Sequence, residues 1–122
     1  MAAEILDGTP VVFIVQKQMR FDEDKAELVP KFNVEPARVF GEFRYLLSPT
    51  ASPFNPEPII DDLHEKLQGF ADEDSILLLG NPALIGWACS IAAYYNKGRV
   101  ATLQWSGKDR RYIRVVAELN PK

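Results

Sequence analysis

The residues with the best chemistry for binding an anion form a turn between a strand and a helix. Gly80, Asn81 and Gly86 lie in the run LLLGNPALIG, where a short apolar strand ends and a helix begins. The amino end of a helix presents unpaired backbone amides and the positive end of the helix dipole, which attract phosphate or carboxylate groups. The turn also follows the carboxyl end of a strand that we expect to be parallel to its neighbours, where open α/β sheets bind ligands.

The same turn lacks the rest of a nucleotide-binding motif. Its glycines do not have the G-x-G-x-x-G spacing, and no P-loop lysine follows them. Pro82 also removes one of the amides that a phosphate would use. The alternative is a well-capped helix, because asparagine is a favoured N-cap and proline is favoured at the first helical position. We therefore interpret the turn as mainly architectural and keep an anionic small ligand as an alternative.

A second group of residues is suited to single-stranded nucleic acid. It combines basic and aromatic side chains near the end of the chain, after Trp105, and consists of Lys108, Arg110, Arg111, Tyr112 and Arg114. Such side chains on a strand can stack bases and pair with phosphates. The formal net charge of −3 favours the other interpretation, an ordinary charged hairpin tip. Nucleic-acid binding is therefore an alternative function and not the leading one.

No convergent catalytic set is visible. The chain has one histidine and one cysteine, His64 and Cys89, which lie on two different predicted helices. Neither a Ser-His-Asp nor a Cys-His arrangement can be assembled from them. A single cysteine also excludes an internal disulfide and a cysteine-rich metal site. We predict a protein that is not an enzyme, with no catalytic residue, no metal and no cofactor.

The second predicted helix, about 82–95, has almost no charge and carries more aromatic surface than one sheet face can cover. Trp87, Tyr94 and Tyr95 supply that surplus. A helix that is apolar almost all round is buried by its own domain or by a partner, and aromatic side chains are favoured at interfaces. We predict a homodimer built on these residues that also binds an unidentified protein. The alternative is that the helix is simply the core of a monomer.

These residues are positioned by a pattern of strands and helices. Hydrophobic alternation and short apolar runs predict strands at 11–15, 37–47, 76–79, 99–105 and 111–119, with a short edge segment at 29–34. Helical periodicity predicts helices at about 57–69 and 82–95. The acidic stretch 20–28 is predicted to be an exposed loop, and residues 1–10 a flexible lead-in.

The order β-β-β-α-β-α-β-β predicts one α/β domain with a mixed sheet of five or six strands and two helices. Strand-helix-strand connections cross right-handed, so we expect parallel pairs in the middle of the sheet and an antiparallel hairpin at the end.

Length and composition agree with a globular domain. The chain has 122 residues, of which 47% are hydrophobic and 25% charged, enough to form a core without disulfides. Its negative net charge argues against binding to duplex DNA or to anionic membranes. No apolar run is long enough to span a bilayer, and we predict a cytoplasmic protein.

One resemblance to known proteins follows from the sequence. The run LLLGNPALIGWACSIAAYYNKGRVATLQW, followed by RRYIRVVAEL, resembles small uncharacterised proteins encoded in tailed-bacteriophage genomes. The similar pattern is a G-[DN]-P-x-x-I-G turn, an alanine-rich helix, N-x-G-R, and a strand ending in tryptophan. With FGEFRYLLSPTASPFNPEPII, the resemblance covers about residues 39–119. It implies only a phage-accessory context, and it transfers no catalytic residue. If the chain is phage-encoded, the predicted cytoplasmic location is the host cytoplasm.

Overall fold

The computed structural model describes residues 9–122, which form seven strands, two α-helices and a 3₁₀-helix. The elements are β1 (Val11–Gln16), β2 (Met19–Asp22), β3 (Glu27–Pro30), a 3₁₀-helix (Glu35–Phe40), β4 (Glu42–Leu47), α1 (Pro56–Leu67), β5 (Ser75–Leu77), α2 (Pro82–Tyr95), β6 (Arg99–Ser106) and β7 (Arg111–Glu118). The predicted lead-in over residues 1–10 lies almost wholly outside the described residues.

Five strands form one sheet in the order β4-β1-β5-β6-β7, and β2 pairs with β3 in a separate hairpin. The first four strands of that sheet are parallel to one another, and β7 runs antiparallel to β6. The predicted α/β class is confirmed, with its mixed sheet, its parallel centre and its antiparallel final hairpin. Within residues 9–122, no helix has the length and apolar character needed to cross a membrane.

The centre of the fold is β1, in which every residue is buried. Val11, Phe13 and Val15 pack on the face that α1 and α2 cover. Val12 and Ile14 pack on the opposite face, in a cluster that includes residues of the 3₁₀-helix. An uninterrupted apolar run is what a strand covered on both faces requires.

The chain passes from β1 to β4 on one side of it and then to β5 on the other side. Right-handed connections that run in opposite directions along a sheet must lie on opposite faces. This explains why the 3₁₀-helix covers one face and α1 the other. The carboxyl ends of β1 and β5 therefore form the topological switch point, the place where open α/β sheets have a crevice.

Both predicted helices are present. Helix α1 buries Ile59, Leu63 and Leu67 at helical spacing and ends two residues before Gly69. Helix α2 starts at Pro82, where the side chain of Asn81 accepts a hydrogen bond from the amide of Ala83 at 2.8 Å. This is the N-cap that the sequence predicts.

Two local predictions were wrong. The strand predicted at 37–47 begins only at Glu42, because the preceding residues form the 3₁₀-helix and Gly41 separates the two elements with a φ of 149°. A Cβ at Gly41 would lie 2.5 Å from the carbonyl oxygen of Pro10. The backbone of residue 41 can therefore approach Pro10 this closely only because it is a glycine. The acidic stretch 20–28 is largely the β2–β3 hairpin and not a loop.

Candidate functional site

The topological switch point is filled by the side chain of Gln16, the last residue of β1, which is 4% exposed. Its Nε2 donates to the carbonyl oxygens of Ser48, Pro49 and Ala51 at 3.1, 3.3 and 3.2 Å. Its Oε1 accepts from the backbone amide of Asn81 at 3.0 Å. One buried amide thus joins the end of β1 to the segments that follow β4 and β5, where a ligand would lie in many related sheets.

The predicted anion-binding turn lies directly beside this glutamine. Gly80 has a φ of 137°, and a Cβ there would lie 2.7 Å from the Cβ of Gln16. The amide of Asn81 is already bonded to Gln16. Gly86 lies on the exposed side of α2, where a Cβ would meet no described atom within 4 Å. The structure therefore does not bring the three residues together around one space, and anion binding here stays a prediction.

The predicted nucleic-acid residues do not share one surface of the hairpin. Arg114 donates from Nε to Ser75 Oγ at 2.8 Å and from its terminal nitrogen to the carbonyl oxygens of Asp74 and Asp72. It joins β7 to the start of β5, at the amino edge of the parallel strands. The other cations, Lys108, Arg110 and Arg111, are exposed at the hairpin turn, at the carboxyl edge.

The aromatic residues of the hairpin are packed against each other. Trp105 and Tyr112 are paired across β6 and β7, with ring centroids 5.1 Å apart and planes at 68°. Tyr112 is buried, and burial raises the pKa of its hydroxyl. Trp105 is 51% exposed. The buried Tyr112 ring therefore packs against the indole, which remains accessible to solvent.

A groove of about 720 Å³ lies between this hairpin and the segment after β3. We call it the edge groove. Its lining residues are Lys31, Phe32, Asn33, Pro36, Leu77, Leu78, Leu79, Leu103, Gln104, Trp105, Arg110 and Tyr112. Phe32 is 49% exposed, about as much as Trp105. The groove therefore has a leucine floor, two accessible aromatic rings and cations at its margin.

A second cavity of about 570 Å³ adjoins the edge groove and shares Lys31, Phe32, Asn33 and Leu79 with it. Four cations line the two spaces among the described residues: Lys17, Arg20, Lys31 and Arg110. The carboxylate that lines them, Glu35, is paired with Arg38 at 2.9 Å. This margin of the sheet is basic although the whole chain has a net charge of −3. Sequence reasoning missed Lys17, Lys31 and Phe32, because no local pattern marks them.

The predicted interface residues of α2 have three different environments. Tyr94 is 73% exposed. Tyr95 is half-buried, and its hydroxyl lies 2.7 Å from Nδ1 of His64 on α1. Trp87 is half-buried against the core. Tyr94 is therefore the aromatic side chain that this face presents to solvent, next to the exposed small residues Ala83, Gly86 and Ser90.

The one histidine and the one cysteine of the chain are both partly buried. His64 pairs with Tyr95, and burial raises the pKa of the Cys89 thiol, which disfavours the reactive thiolate. Across residues 9–122, no cluster of three histidine, cysteine, aspartate or glutamate side chains could hold a metal ion.

Comparison with known proteins identifies a family. The sequence model of a family described as phage Pam3 gp32-like protein matches residues 10–119, a span that includes every strand and helix described above. The resemblance to phage-encoded proteins is thereby confirmed, and it extends to residue 10. No curated protein and no solved structure matches the chain.

Proposed function

Because the chain belongs to the phage Pam3 gp32-like protein family, we propose that it is a phage accessory protein that acts without catalysis. It would associate with a second copy of itself through the outer face of α2 and bind another protein. The observation that carries the proposal is the character of that face.

The outer face of α2 combines small side chains with one exposed aromatic ring. Ala83, Gly86 and Ser90 leave the helix backbone open to close approach, and Tyr94 projects beside them. The chain contains 14 Lys and Arg and 17 Asp and Glu residues, yet α2 has none of them. Two copies can therefore approach through this face without like-charge repulsion, and aromatic anchors of this kind carry much of the binding energy at interfaces.

The arrangement of residues along α2 is suited to a two-fold contact. Tyr94 lies near one end of the helix, and Ala83 and Gly86 lie near the other. In an antiparallel pair of α2 helices, each Tyr94 ring would lie over the small residues of the other copy. Such a contact is self-complementary, as an isologous dimer interface requires.

The second protein would be bound by surface that self-association leaves open. Strand β7 is at one edge of the sheet, and its Val115 and Val116 are exposed. Exposed edge strands with apolar side chains can pair with an extended segment of a partner. The edge of β7 is therefore the surface we assign to the heterologous partner.

Sedimentation velocity tests self-association. We expect the wild-type protein to be a dimer at micromolar concentration and the Tyr94→Asp variant to be a monomer, because the charge would be buried at the contact. Val39→Asp is the matched control: Val39 is 83% exposed on the 3₁₀-helix, on the other side of the sheet, and its variant should remain dimeric. A wild-type protein that is monomeric at high micromolar concentration would contradict the proposal.

A further inference from the structure

We propose that the edge groove binds a nucleotide unit, with the base against Trp105 and the phosphate beside Lys31 and Arg110. This site is independent of the α2 face and of self-association. The nucleotide unit has two sources, a free nucleotide or one residue of a single strand, and the same chemistry recognises both.

Trp105 offers a prepared surface for a planar base. Its indole is half exposed, and it is held edge-on against the buried ring of Tyr112 at a centroid distance of 5.1 Å. The pairing of Trp105 with Tyr112 in the β6–β7 ladder fixes the position of both residues. Bases of any sequence can stack on such a ring, because every base has an aromatic face.

The rest of the groove completes an apolar slot. Leu77, Leu79 and Leu103 line it on the side of the sheet, and Phe32 lines it on the side of the β2–β3 hairpin. A volume of about 720 Å³ lies in the usual range for small-molecule sites. The site is also at the carboxyl ends of β5 and β6, the edge at which parallel sheets bind ligands.

Charge selects an anionic ligand. Lys31 and Arg110 line the edge groove, and Lys17 and Arg20 line the cavity next to it. Glu35, the carboxylate among the residues that line the adjoining cavity, accepts two hydrogen bonds from Arg38 at 2.9 Å. A phosphate at the margin of the groove would therefore be attracted by cations in a protein that is acidic as a whole.

The adjoining cavity extends the same chemistry. Its lining includes the exposed ring of Tyr45, over which Lys17 Nζ lies at 5.5 Å from the centroid. A second nucleotide attached to the first would meet another aromatic ring and another cation there. A single strand would use both cavities, whereas a free nucleotide would use the edge groove alone.

Tryptophan fluorescence tests the site directly. The chain has two tryptophans, so in a Trp87→Phe background the emission reports Trp105. We expect titration with AMP or with a short oligothymidylate at low salt to quench this emission with saturation. Comparable affinity for the two probes identifies a free-nucleotide site, whereas a much higher affinity for the oligothymidylate, which can reach both cavities, identifies a single-strand site. If neither probe quenches Trp105 at low salt, the proposal is wrong.

Two pairs of variants separate the groove from diffuse charge attraction. Lys31→Ala should weaken binding roughly ten-fold, as expected for a charge-assisted hydrogen bond. Lys108→Ala removes the same charge from a position that lines neither cavity, and should leave affinity nearly unchanged. Phe32→Ala should weaken binding roughly five-fold or more by removing ring contact, whereas the exposed Phe21→Ala should not. Equal losses for Lys31→Ala and Lys108→Ala would overturn the proposal.

Discussion

The strand–helix turn at Gly80 and the edge groove at Trp105 lie at the same edge of the sheet, but their polar groups differ in availability. At the turn, the amide of Asn81 is already bonded to Gln16, which also bonds three backbone carbonyls of the segment after β4. At the groove, two aromatic rings remain about half exposed and cations line the margin. The strand–helix turn, which has the more familiar ligand-binding pattern, thus stabilises the fold. The edge groove, which no single sequence pattern marks, is the space that remains open.

Replacing Gln16 should have the largest effect on stability. Gln16→Leu leaves the amide of Asn81 and three carbonyls without their partner, and we expect the free energy of unfolding to fall by about 3 kcal/mol. Lys31→Ala, in the edge groove, should change it by less than about 0.5 kcal/mol because Lys31 is exposed. Urea unfolding of both variants measures the difference. Equal losses would mean that the turn and the groove do not differ in structural importance.

Gly80→Ala tests the contact between the strand–helix turn and Gln16 by changing the turn. Alanine would be strained at a φ of 137°, and its Cβ would lie 2.7 Å from the Cβ of Gln16. We expect a loss of about 2 kcal/mol in unfolding free energy, from backbone strain together with displacement of Gln16. Gly107→Ala is the matched control, since a Cβ there would meet no described atom within 4 Å. If Gly80→Ala were as stable as Gly107→Ala, the side chain of Gln16 could move aside at little cost in free energy, which would contradict the prediction.

The parts of this fold that could be predicted depend on local patterns. The bounds of helix α2 were predicted correctly because Asn81-Pro82 and an apolar run specify it. Strand β1 was predicted because its apolar residues are continuous. The β2–β3 hairpin was missed because most of its residues are exposed, so its strands lack an alternating pattern. A strand of this kind has no buried face to mark it.

The candidate sites were harder to predict because their contacts are long-range. Gln16 reaches carbonyls more than thirty residues away and an amide 65 residues away. Arg114 is a residue type that often contacts nucleic acid, but its guanidinium donates hydrogen bonds to Ser75 and to carbonyls near the start of β5. The edge groove brings together Lys31 and Trp105, which are far apart in the sequence and belong to different hairpins. Residue type alone does not tell whether a side chain is already engaged elsewhere in the fold.

The smallest expected effect concerns Gly86, the third residue predicted at the turn. A Cβ at this position would meet no described atom within 4 Å, so the glycine is not needed for packing of α2 on the sheet. Because alanine favours a helix interior over glycine, Gly86→Ala should raise the unfolding free energy of the monomer by up to about 1 kcal/mol. This is best measured in the Tyr94→Asp background, in which we expect no self-association.

In the otherwise wild-type protein, Gly86→Ala should have the opposite effect on dimer formation. If α2 packs against a second copy through its small residues, the added methyl group holds the two helices apart and the dimer dissociates at higher concentration. A variant that is more stable as a monomer but weaker as a dimer would assign Gly86 to the interface. Destabilisation of the Tyr94→Asp monomer by Gly86→Ala would instead assign this glycine to the fold, and the contrast between Gly80 and Gly86 would disappear.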